Sequence, residues 1–282
     1  DEKYGWVSPD VFISLAEDKG LILQLGNLVI VQALDQLADW RRRGLDLTVS
    51  INLSKRQLLH AEFLPGLIGL MTERQLQPEW VILEITERQS VLGQAVGRQR
   101  LEELAKAGFR ISIDDFGSGY SSFDLVGEAS FSELKIHLAL IRLTSAQRGR
   151  RIVQAIVEMG RSLGLRVVAE GVEDQVTQAM LTALGVDKLQ GYLFSRPLDP
   201  AAFLRYMERG QVSQRRATPR RQGALLLLDP LELASYGCAA GRGLVREPDA
   251  GRCEFGILRV VPPSKERLSF GQVLEELPAP LG

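Results

Sequence analysis

An α/β fold built on a parallel sheet follows from the first of two observations on this sequence, and the second suits the closing of that sheet into a barrel. Short β-type apolar runs alternate with helical patterns through roughly the first 212 residues, and strand–helix alternation implies a parallel sheet. Five oxygen-bearing side chains, Asn52, Glu84, Asp114, Asp115 and Glu170, each follow one of those runs. A barrel of parallel strands gathers strand-end residues on one rim, where such oxygens can share divalent cations.

The elements read in order from the N-terminus. Ser8, Pro9 and Asp10 form an N-cap, an N1 proline and an acid in the first turn, opening a helix through Val11, Phe12, Leu15 and Ala16. A second helix, roughly Leu21 to Arg43, carries Leu25, Leu28, Val31, Leu34 and Leu37 and stops at Gly44. Leu47, Val49 and Ile51 then alternate with polar residues up to Asn52, which predicts a strand with one face in a core. Val81 to Ile85 does the same around Glu84, and Phe109, Ile111 and Ile113 lead into Asp114 and Asp115. Leu134 and Ile136 flank Lys135, Val167 and Val168 precede Glu170, and Leu189 precedes Gln190, which makes six strands. Helical patterns lie between most of them, such as Leu101 and Leu104 before Gly108, or Ile152, Val153, Ile156, Val157 and Met159 before Gly164. No strand precedes the first helix, so an eight-stranded barrel lacks its first two strands in this chain. Such a gap is expected to bare two sheet edges and an apolar interior. The sequence opens on Asp1 rather than Met, and an upstream segment is expected.

Near Gln211 the pattern ends. Arg215, Arg216, Arg220 and Arg221 surround Pro219, followed by Leu225 to Leu228 and a Gly/Pro-rich stretch. The reading is therefore a domain over 1–212, a solvated linker over 213–222 and a small C-terminal appendage over 223–282, with a strand expected at Phe255 to Val261. With 45% hydrophobic residues, 24% charged residues and a net charge of -1, the chain has no general attraction to DNA or to a membrane, so an anionic substrate needs a local site. The two cysteines, Cys238 and Cys253, form neither a disulfide framework nor a ligand cluster, which points to a reducing cytoplasm. No apolar run approaches the roughly 20 residues of a membrane span, and no secretory signal is visible.

The five strand-end residues are hard oxygen donors, and neither His nor Cys joins them. That set suits Mg2+, Mn2+ or Ca2+ better than zinc or copper, and Mg2+ or Mn2+ pairs naturally with a phosphate ester. Two such ions about 3.5 to 4 Å apart can activate water and neutralise charge building on a phosphoryl group. Lys135 adds a fixed positive charge near that water. Adjacent strand residues point opposite ways, so Asp114 and Asp115 share a site only if the turn after the strand redirects the second. Taken singly, a strand-end acid more often caps a helix or faces solvent, Lys135 reads as a surface lysine and Gln190 as an ordinary amide. Their recurrence in one series gives the functional reading its weight. His60 receives no role, and His137 reads as structural. Asp115, Phe116, Gly117, Ser118, Gly119, Tyr120, Ser121 and Ser122 form a glycine-spaced loop able to fold tightly against a ligand or partner. It lacks the third glycine of a dinucleotide fingerprint.

Together these segments resemble the EAL family of bacterial cyclic di-GMP phosphodiesterases over roughly residues 4 to 208. The resemblance runs through Trp6-Val7-Ser8-Pro9-Asp10, Ser50-Ile51-Asn52-Leu53-Ser54, Leu83-Glu84-Ile85-Thr86-Glu87, the Asp114 to Ser122 stretch, Leu134-Lys135-Ile136, Val168-Ala169-Glu170-Gly171-Val172-Glu173 and Gln190-Gly191-Tyr192. It implies a TIM-like (β/α)8 barrel of the EAL type and a metal-dependent hydrolysis of cyclic di-GMP to linear pGpG in second-messenger signalling. By the same resemblance Asn52, Glu84, Asp114, Asp115 and Glu170 are metal positions for two Mg2+ or Mn2+ ions. Lys135 and Gln190 orient the hydrolytic water, Glu173 steadies the loop, and the loop segment Asp115 to Gly119 couples dimerisation to activity. A homodimer through the barrel and an upstream sensory or GGDEF-type domain are the implied partners. Two departures stand out: the Glu-Ala-Leu signature of the second barrel strand falls before this chain begins, and His137 stands where the family usually has Asp in a Lys-Ile-Asp motif. Loss of a carboxylate ligand is expected to weaken metal binding and slow turnover. The alternative reading is accordingly an inactive cyclic di-GMP receptor or a regulatory protein-interaction module, and retention of every other ligand position favours the enzyme.

Overall fold

The structure, a computed structural model, describes residues 9–86, 95–118, 130–214, 224–228 and 244–246. Helices α1 (Pro9–Asp18) and α2 (Ile22–Arg42) precede β1 (Leu47–Asn52), and α3 (Lys55–Leu59) and α4 (Phe63–Glu73) lead to β2 (Val81–Thr86). Then follow α5 (Ala95–Lys106), β3 (Arg110–Phe116), β4 (Glu133–Ile136), α6 (Leu138–Arg142), α7 (Gln147–Ser162) and β5 (Arg166–Ala169). Helix α8 (Gln175–Ala183), β6 (Lys188–Gly191), α9 (Pro200–Gln214), β7 (Ala224–Leu228) and β8 (Leu244–Arg246) complete the order. All six strands expected from the alternation form, and β1 to β6 pair in sequence order, each parallel to the next.

Period-two alternation sorts each strand into two faces. Val49, Ile51, Leu83, Ile85, Ile111, Ile113, Leu134, Ile136, Val167, Ala169 and Leu189 belong to the hydrophobic core, together with residues of the covering helices such as Leu34 and Leu37 of α2, Leu101 and Leu104 of α5, and Val153 and Val157 of α7. Trp40 of α2 anchors this layer against Phe203 of α9, with ring centroids 5.0 Å apart. Residues of the opposite parity turn to the other side of the sheet, where Glu84, Asp114, Lys135 and Glu170 meet one another. The apolar half of the alternation therefore feeds the sheet–helix interface, and the polar half lines the interior of the curled sheet.

The edges at β1 and β6 carry strands from the C-terminal region. β7 runs parallel to β1, with Leu225 to Leu228 opposite Thr48 to Ile51, and β8 runs antiparallel to β6, with Val245 opposite Gln190. These strands join the main sheet, whose order is β7-β1-β2-β3-β4-β5-β6-β8, in place of the bare edges expected from the sequence. The strand expected at Phe255 to Val261 lies outside the described residues. Among the described residues no helix is long and apolar enough to cross a membrane.

The end of β6 is fixed by a close approach of backbones. A Cβ at Gly191 would collide with the backbone of Val172, whose N–H donates to the Gln190 carbonyl and whose carbonyl accepts from Leu193. Gly191→Ala is therefore expected to lower the unfolding free energy by about 1–3 kcal/mol, because the obstacle is main chain and cannot rotate away. Urea denaturation of the two proteins measures the difference.

Candidate functional site

Lys135 occupies the middle of the inward face. It projects from β4, is fully buried, and its Nζ lies 2.7 Å from Glu170 Oε1, 3.0 Å from Asp114 Oδ1 and 3.1 Å from Glu84 Oε1. These carboxylates come from β2, the end of β3 and the residue after β5, so three strands far apart in sequence deliver acids to one ammonium. Oxygen atoms of Asp114, Asp115 and Glu170 also lie within 4.8 Å of one another, close enough to share an ion. Asn52 ends β1 level with Glu84, its strand partner, and is half-buried. Gln190 of β6 is fully buried, and neither polar atom of its amide has a hydrogen-bond partner among the described residues. A buried amide of that kind is suited to a ligand or water at the same site.

Local backbone irregularity explains how two consecutive aspartates reach one place. Ile113 pairs with Leu134 but Phe116 pairs with Ile136, so β3 advances three residues while β4 advances two. The extra residue is a bulge. Asp115 within it adopts φ +57°, a left-handed conformation that Asp tolerates better than most residues. Asp114 stays buried, whereas the Asp115 side chain keeps 24% exposure. Phe116 is buried behind them. Gly117 has φ +87°, a conformation that favours glycine, and a Cβ there would also press on the side chain of Leu140 on α6. The turn closes with the Ser118 N–H donating to the Asp115 carbonyl at 3.0 Å. Gly119 and the rest of the glycine-spaced loop lie outside the described residues.

His137 caps α6, its Nδ1 accepting the Ala139 N–H at 3.2 Å. In the neutral ring that bond leaves the proton on Nε2, which lies 3.8 Å from Asp115 Oδ1. Nothing in the local pattern around His137 sets it beside Asp115. Glu173 is exposed and stands 3.5 Å from Arg142, also on α6. Thus Glu173 and Gly117 both neighbour the same short helix, while Glu173 is not among the acids around Lys135.

A family model, the EAL domain, matches residues 1–197. The chain belongs to the EAL domain family. The bifunctional diguanylate cyclase/cyclic di-GMP phosphodiesterase MucR of Pseudomonas aeruginosa is 39% identical over 198 residues, covering 70% of this chain and 29% of MucR. The signaling protein YkoW of Bacillus subtilis is 36% identical over 200 residues, covering 71% of this chain and 25% of YkoW. The solved structure of the PaMucR phosphodiesterase in complex with c-di-GMP superposes with a TM-score of 0.64 at 39% identity, over 68% of this chain and 79% of that one. The chain thus spans about a quarter to a third of the length of these curated relatives.

Beneath the acid cluster, this EAL domain holds a second buried ion pair that the sequence analysis passed over. Lys188 Nζ donates to Glu133 Oε2 at 2.8 Å, and both side chains are inaccessible to solvent. Glu133 lies two residues before Lys135 and Lys188 two before Gln190, so period two places them on the inward face. That spacing was the available signal. Burial alone would raise the Glu133 carboxyl, but the charges of Lys188 and Arg166, the Lys188 hydrogen bond and the charge of Lys135 together hold it below its ordinary value.

Two outcomes follow. Because the folded Glu133 carboxyl is depressed, its stabilising contribution is fully present above the unfolded value of about 4.3 and is lost as pH falls through the lower folded value. Unfolding free energies measured between pH 3 and 6 are expected to fall less steeply toward acid in Glu133→Gln/Lys188→Met than in the unsubstituted chain. At the bulge, Asp115→Val is expected to cost about 1–3 kcal/mol of stability because a β-branched residue resists positive φ, and Asp115→Asn clearly less. Denaturant midpoints distinguish the two substitutions.

Proposed function

We propose that this chain is the catalytic part of a cyclic di-GMP phosphodiesterase, hydrolysing one phosphodiester bond to give pGpG. The observation that carries the reading is the convergence of Glu84, Asp114 and Glu170 on Lys135, with Asp115 at the rim. Support also comes from relatives and a solved structure whose names specify cyclic di-GMP.

The donor set fits divalent cations. It is made of hard oxygens, its carboxylates are closely spaced, and a cation, the Lys135 ammonium, already stands among them. Asn52, Glu84, Asp114, Asp115 and Glu170 would hold Mg2+ or Mn2+. When bound, such ions supply Lewis acidity to the phosphoryl oxygens and acidify water. Lys135 donates hydrogen bonds toward the attacking water, and the Gln190 amide fixes its orientation. Water adds to phosphorus, the bond to the ribose 3′ oxygen breaks, and that oxygen leaves as a hydroxyl. Phe116, Gly117, Ser118 and Gly119 border the substrate, while Glu173 acts on that loop through α6 rather than on the reacting atoms. The same loop is suited to relaying contact with a second barrel or an input domain.

A receptor reading draws on His137, which brings an N–H rather than a further carboxylate to Asp115. Incubation of the purified chain with Mn2+ and cyclic di-GMP, followed by chromatographic separation of nucleotides, decides between them. The expected result is pGpG, with kcat/KM reduced at least about 100-fold in Glu84→Gln, a loss typical of removing a group that stabilises the transition state. Calorimetric binding of cyclic di-GMP without turnover would instead establish a receptor.

A further inference from the structure

The chemistry proposed above uses the rim and leaves two fully buried ionic side chains, Glu133 and Lys188, without a task. Their place in the barrel bears on a competition at Lys135. Its ammonium lies within 2.7–3.1 Å of Glu170, Asp114 and Glu84. On the metal-centre reading, which this inference rests on, those carboxylates bind divalent cations, so the ammonium and the ions contend for the same oxygens. A buried ammonium displaced from its anions requires another anion, since an uncompensated charge in a dry interior is costly.

Glu133 meets that requirement. It lies two residues before Lys135 on β4, on the same face of the strand. Lys188 holds only Oε2; Oε1 has no hydrogen-bond partner among the described residues. Lys135 is already one of the charges that keep Glu133 ionised. Charges therefore alternate through the interior: Lys188, Glu133, Lys135, then the rim acids. We infer that Glu133, anchored by Lys188, is a positioning residue that retains Lys135 when divalent cations engage Glu84, Asp114 and Glu170, and so eases cation binding. Without Glu133 the ammonium holds the rim acids harder and the ions bind less well.

The test is a double-mutant cycle on Mn2+ affinity in the full chain, read by electron paramagnetic resonance of free Mn2+, which needs no turnover. Replacing the pair as Glu133→Gln/Lys188→Met avoids stranding a buried lysine; Glu133→Gln alone serves if that protein does not fold by circular dichroism. With Lys135 present, Mn2+ binding is expected to weaken about tenfold, and in a Lys135→Met background less than about twofold, the signature of coupling between neighbours. Equal weakening in both backgrounds would make the pair merely structural and overturn the inference, as would no weakening with Lys135 present. Failure of the unsubstituted chain to bind Mn2+ would remove the metal-centre reading itself, and this inference with it. Mn2+ binding without pGpG formation would set aside the phosphodiesterase reading alone, and the contrast between the two backgrounds would still uphold or overturn the coupling.

Discussion

Three carboxylates can share the dry interior of a curled sheet only if something positive stands between them, and in this chain that is the ammonium of Lys135. Each acid is contributed by a different strand, so the charge balance is also a constraint on register. A one-residue slip of β2 would exchange Glu84 for Leu83 or Ile85 on the inward face, leaving an acid among the helices and a hydrocarbon beside the ammonium. The same would follow for β3 and β5. The fold and the site are thus specified by one alternation: apolar residues that bury against α2, α4, α5 and α7, and polar ones whose acids gather around Lys135 on the other side.

Polar character continues below the rim. The interior of a typical (β/α)8 barrel is filled by layers of branched apolar side chains. Here Ser50, Ser112, Glu133 and Lys188 are wholly buried on the inward parity, with Ile82 and Val168 between them. The Lys188–Glu133 pair makes this layer nearly neutral and separates the rim cluster from the base of the sheet. A buried ion pair contributes little net stability over an apolar replacement. Its presence directly under the acid cluster is more economically explained by the electrostatics of that cluster than by folding.

Much of the architecture was legible in the sequence because strands buried on one face and polar on the other announce themselves by period two. All six of those strands follow from that pattern alone, although β2 and β3 run on past Glu84 and Asp115 to Thr86 and Phe116. Convergence of the acids was legible only as a consequence of a barrel, since no local feature of Glu84 or Glu170 points to the other. The placement of Asp115 depended on a bulge and a positive φ, which sequence does not display for a non-glycine residue. Glu133 and Lys188 were overlooked because each stood beside a residue with a clearer signal, although both obey the same parity. His137 caps α6, and its approach to Asp115 is a product of the turn that ends β4. The pairing of β7 with β1 joins residues far apart in the chain, and the sequence offered only an apolar run, Leu225 to Leu228, with no indication of which edge would receive it.

The bulge in β3 has an evolutionary corollary. One additional residue between Ile113 and Phe116 lets neighbouring aspartates address a single point while everything downstream keeps its facing. Loss of a single codon there would part the two aspartates while the hydrophobic layers and helix contacts keep their facing.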